Sequence, residues 1–136
     1  MAMKVIVRGV ALLLLLFNGI AATFGGWQLM AHPDGSSLKL SLDFISRSPF
    51  NSYLIPGVIL FISNGVFNFF VLLCTLRQIK NYSRLILIQG IILIAWILIQ
   101  TLMVRETNSL HIALGSIGIL LILSGIILMK SKRAHR

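Results

Sequence analysis

Acidic side chains are nearly missing from this chain: Asp34, Asp43 and Glu106 are the only three in 136 residues. None of them falls inside a long apolar run, and neither does any Lys or Arg. Proton-coupled transport, which needs an ionisable group within the membrane, therefore lacks its usual carrier. Cysteine is as scarce. One thiol, Cys74, can form no internal disulfide and run no dithiol redox chemistry. It sits near the end of an apolar run and reads as a small packing residue. His32, His111, Glu106, Asp34 and Asp43 are scattered, with no HExxH or CxxC spacing, so neither a metal nor a cofactor is expected and no catalytic residue is assigned. Charge of either sign makes up 11% of the chain against 57% hydrophobic residues, far outside the range of a soluble domain.

What remains is apolar and segmented. Uncharged runs cover about residues 9–31, 53–76, 85–104 and 110–129, and roughly 20 apolar residues are what ~30 Å of hydrocarbon requires of a helix. An isolated strand leaves its backbone groups unpaired in lipid, so each run is read as helix. The expected fold is an all-α membrane four-helix bundle in one domain, up-down because the connections are short, with an outer loop over residues 32–52. Lys4 and Arg8 followed by VALLLLLF imitate a secretory leader. The apolar stretch nevertheless continues through Phe24 to Met30, which argues for an uncleaved first span.

The formal net charge is +9, and its placement matters more than its size. Lys4, Arg8, Arg77, Lys80, Arg84, Lys130, Lys132, Arg133 and Arg136 flank the runs on one side. Only Lys39, Arg47 and Arg105 flank them on the other, together with all three acids. By the positive-inside rule both termini are cytoplasmic, in a bacterial cytoplasmic membrane. These cations sit at span ends, where they meet anionic headgroups, so membrane lipid is the expected partner and nucleic acid is not.

Polar groups inside the runs need partners. Asn64 and Asn68 are one turn apart in the second run. At ~1.5 Å per residue, Asn68 lies ~13 Å inward from Arg77 and Asn18 ~15 Å inward from Arg8, so the spacing predicts an Asn18–Asn68 hydrogen bond. Small residues mark close-packing faces: Gly19, Ala22 and Gly26 in the first run, Gly115, Gly118 and Gly125 in the fourth. Trp96 lies too deep for an interfacial belt and is expected in the core or against another protein.

In the outer segment, Pro33-Asp34-Gly35 is a turn signal. Leu38 to Ile45 is apolar at alternate positions and fits a short strand or an interfacial helical turn. Ser48-Pro49 reads as a helix N-cap and first position, with Trp27, Phe50 and Tyr53 at headgroup level. Pro56-Gly57, one turn in, is expected to kink or loosen the second helix. The stretches GGWQLMAHPDG and SPFNSYLIPGVILF, spanning Gly25 to Phe61, resemble a pattern recurring in small four-span integral membrane proteins of bacteria. The resemblance implies the fold and carries no activity.

Two functions survive. One is a non-enzymatic structural or accessory protein contacting lipid, other membrane proteins or a second copy of itself. The alternative is a passive channel or carrier for a small neutral or anionic solute, lined by Asn18, Asn64 and Asn68.

Overall fold

The computed structural model describes residues 2–34, 52, 54–104 and 109–134, with side chains over 2–34, 52, 54–101 and 112–130. All the regular structure over these residues is helical. Helix α1 is Ala2–Ala31, α2 is Leu54–Leu76, α3 is Tyr82–Val104 and α4 is Ser109–Ala134. Each contains a stretch long and apolar enough to cross a membrane, which makes this a multi-pass membrane protein. Leu38–Ile45, Ser48-Pro49, Phe50 and Tyr53 lie outside the described residues, as do Arg105 and Glu106 and the side chain of His111.

The helices outrun the apolar runs. α1 begins at Ala2 rather than Gly9, α3 takes in Arg84, and α4 continues past Lys130. Charge ends a span but not a helix, because the backbone keeps its intrahelical bonds in the headgroup layer while long basic side chains reach for water.

Proline acts differently from its expected role. α2 starts at Leu54, so Pro56 lies in the first turn, where its missing N–H has no intrahelical partner to lose. The break in α geometry comes later, as a π-helical segment over Phe61–Val66. There the Phe67 N–H donates to Ile62 O, five residues back, and the Ser63 hydroxyl donates to Ile59 O at 2.6 Å. A hydroxyl that occupies the i−4 carbonyl competes with the regular ladder and favours such a bulge.

Between α2 and α3 the chain turns in five residues. The Gln78 N–H donates to Thr75 O and the Ile79 N–H to Cys74 O. With Gln78 at φ 50°, this is a Schellman ending. Asn81, at φ 69°, then accepts from the N–H groups of Arg84 and Leu85 and opens α3.

Packing is set by small residues. α1 buries Ala11, Leu15, Asn18, Gly19, Ala22, Gly26 and Leu29 along one stripe, and lies against α2 and α4. A Cβ on Gly26 would stand 2.9 Å from Gly57 O and 2.8 Å from Phe61 Cβ. α3 lies against α4 and α2; Cβ atoms on Gly90, Gly118 and Gly125 would each meet the other helix of the α3–α4 pair within 2.9 Å. Gly115 differs from its expected part in this face: nothing lies within 4 Å of where its Cβ would be. Trp96 and Cys74 are buried, while Leu13, Phe24, Trp27 and Ile119 are more than half exposed on the outside, as lipid-facing side chains are.

Gly26→Leu is therefore expected to cost about 1–3 kcal/mol by overpacking. Gly115→Ala is expected to be neutral or to stabilise by up to about 1 kcal/mol, since alanine suits a helix better. Thermal unfolding in detergent compares the two, and equal losses would show that close approach is not what Gly26 provides.

Candidate functional site

Near the middle of the bundle α2 presents its two asparagines to two different neighbours. The Asn68 amide nitrogen donates to Leu15 O of α1, and its oxygen accepts from the Asn18 side chain at 2.9 Å. Asn64, one turn earlier, turns the other way. Its oxygen accepts from Gln89 Nε2 of α3 at 3.0 Å, and its nitrogen donates to Ser63 Oγ at 3.1 Å. Ser63 in turn donates to Ile59 O. Asn64, Asn68 and Gln89 are fully buried and Asn18 is nearly so. Thr75, deeper towards the end of α2, is closed off by its bond to Val71 O.

The surroundings hold these amides in place. Gly19 leaves room for Asn68: a Cβ there would stand 2.7 Å from Asn68 Nδ2. Gly65 does the same for Thr23, whose hydroxyl would lie 2.9 Å from a Cβ. Asn64 lies inside the π segment and Asn68 just after it, and their partners are on α3 and α1.

The arrangement uses nearly all its hydrogen-bonding capacity on itself. Among the described residues, Gln89 Oε1 is the one buried side-chain oxygen or nitrogen left without a partner. A single orphan acceptor of this kind suits a water molecule. Asn18 borders a cavity, a space of about 120 Å³ walled mainly by apolar side chains. Trp96 and Gln100 of α3 and Leu114 of α4 share its lining. Among the described residues no group of three His, Cys, Asp or Glu could hold a metal ion.

The structure thus places Asn18 with Asn68, and Gly19, Ala22 and Gly26 along the α1 face turned to α2. Gly118 and Gly125 face α3. Gln89 escaped the sequence reading: it lies about two turns, ~11 Å, inward from Tyr82, a depth that matches Asn68 and not its partner Asn64. The π segment escaped it too, because a Ser-Asn-Gly triplet inside an apolar run does not specify it. No family model, curated protein or solved structure matches the chain.

A double-mutant cycle on Asn64→Ala and Gln89→Ala is expected to return a coupling of about 0.6–1.7 kcal/mol, the range found for interhelical bonds in membranes. Additive losses in detergent unfolding would show that the two side chains do not bond.

Proposed function

We propose that this is an accessory protein of a bacterial cytoplasmic membrane, an up-down bundle of four spans with both termini on the cytoplasmic side. It works by contact, with other membrane proteins, with lipid or with a second copy of itself, and catalyses nothing. The carrying observation is the state of the intramembrane amides. Asn64 and Asn68 are fully buried and bonded to neighbouring helices, as helix-joining groups are. A conducting path needs such groups turned towards water.

The placement of charge supports the orientation. Lys4 of α1 and Lys80 of the α2–α3 turn share one end of the molecule, and Asp34 follows the far end of α1. The cationic end belongs inside by the positive-inside rule. Membership of the small four-span bacterial group suggested by the Gly25 to Phe61 pattern forms part of this reading and adds no activity to it. The passive-carrier reading keeps one observation, the cavity beside Asn18 and Gln100.

Purification of the tagged protein from its native membranes in mild detergent is expected to retain a protein partner, a second copy or lipid near stoichiometric yield. Solute flux in liposomes, abolished by Asn64→Leu in a protein that still folds, would overturn the accessory reading. The orientation has its own check in a Cys74→Ala background. A cysteine at Asn81 is expected to label from the cytoplasm and one at Asp34 from outside; the reverse pattern would invert the topology.

A further inference from the structure

At the basic end of the bundle, three separate parts of the chain line a partly open cavity of about 170 Å³ with both polar and apolar walls. Lys4 comes from the first turns of α1, Gln78 and Lys80 from the turn after α2, and Tyr82 and Ser83 from the start of α3, with Leu128 of α4 as an apolar wall. Two lysines, a glutamine and two hydroxyl-bearing residues thus line one space, with Lys4 far in sequence from residues 78–83. They are nearly all hydrogen-bond donors or can act as donors.

Among the described residues, no carboxylate lines the cavity. The chain's three acids, Asp34, Asp43 and Glu106, all belong to the other two connections. Ser83 is buried and Lys4 half-buried, while Gln78 and Lys80 are exposed at the rim, so the cavity has a polar floor and an open, cationic mouth. α1 and α3 begin at this end while α2 and α4 finish there, so the helix dipoles offset one another. At the end of α2 the carbonyls of Leu73, Thr75 and Cys74 accept from the N–H groups of Arg77, Gln78 and Ile79. At ~30 Å³ per water, the space takes several waters or one tetrahedral oxyanion with its first bridging waters.

We propose that this cavity is a binding site for a phosphate group, that of an anionic phospholipid headgroup, with free phosphate as the other source of the same chemistry. The lipid source rests on the bilayer placement proposed above, which puts Lys4 and Lys80 at headgroup depth; the phosphate chemistry does not. Lys4 and Lys80 supply the charge, Tyr82 and Ser83 the directed hydroxyls, and Leu128 the apolar side along which a lipid's glycerol end leaves.

The test uses the full chain in detergent, with phosphatidylglycerol, phosphatidylcholine (whose choline cancels the phosphate charge) and inorganic phosphate as probes. Native mass spectrometry and thermal shift read binding. Phosphatidylglycerol is expected to bind and stabilise in preference to phosphatidylcholine, and Lys4→Gln with Lys80→Gln to weaken it by about tenfold or more, as loss of charge-assisted bonds does. Arg77→Gln with Lys130→Gln removes the same charge outside the cavity and is expected to change affinity by no more than about twofold, as exposed charges do. A phosphate response of equal strength, lost in the Lys4/Lys80 variant, would keep the site and assign it to free phosphate. Indifference to all three probes would overturn the proposal, and so would equal losses in the two double variants, which would reduce the effect to surface charge. Capture of a protein partner bears on the accessory reading alone and leaves this result untouched.

Discussion

Hydrocarbon offers no hydrogen bonds, so a polar group buried in a membrane bundle must find its partner in the protein or in a trapped water. In this chain that requirement falls most heavily on α2, which carries Asn64 and Asn68 one turn apart with no exposure. Asn68 is satisfied only because α1 brings Asn18 and the carbonyl of Leu15 to it. That approach is possible only because position 19 has no side chain. Asn64 is satisfied only because Gln89 of α3 reaches it. Polarity in α2 therefore fixes where both neighbours sit, including their rotation about their own axes, since each neighbour must aim one particular residue.

Glycine contacts and amide contacts do different work. Gly26 against Gly57 joins α1 to α2, and Gly90, Gly118 and Gly125 join α3 to α4. Both are contacts of nearest neighbours in sequence, and they rest on dispersion between closely approaching backbones. Such surfaces specify proximity well and register poorly, because one small residue resembles another. The Asn64–Gln89 bond crosses from the first helix pair to the second, where no glycine contact is found among the described residues. Directional bonds at that boundary supply the specificity that close packing does not.

Much of this was legible in the sequence, and the legible part has a physical reason. Four apolar runs bounded by charge say four helices, since lipid leaves the backbone few choices. Asn18 and Asn68 could be paired from depth alone, because rise per residue is constant and both spans are bounded by arginine at the same end. The glycine faces were visible as small residues at helical spacing, with Gly115 as the exception. It shares the spacing but has open space where its Cβ would stand, and spacing carries no information about which positions of a face meet a partner. Gln89 was hidden by its length, which lets it reach a residue one turn away from its own depth. The π segment was hidden because it arises from competition between the Ser63 hydroxyl and the backbone for one carbonyl, and that balance depends on tertiary position. The cavity at the basic end was out of reach for a related reason: Lys4 and Lys80 are remote in sequence and meet only once α1 is packed.

Basic residues at a span end are usually read as topology signals, and that reading treats them as interchangeable. The geometry at this end separates them. A lysine standing free in the headgroup layer finds counter-ions wherever the membrane is anionic, and its pairing is worth little because water screens it. Lys4 and Lys80 line one cavity, so an anion that enters it meets both, and binding to the folded state alone stabilises that state. The chain's three acidic side chains lie in its other two connections, and none of the cavity's lining residues is acidic. The scarcity of acidic side chains, which first argued against proton-coupled chemistry, thus bears also on the site proposed at this end, whose counter-charge is that of the bound phosphate.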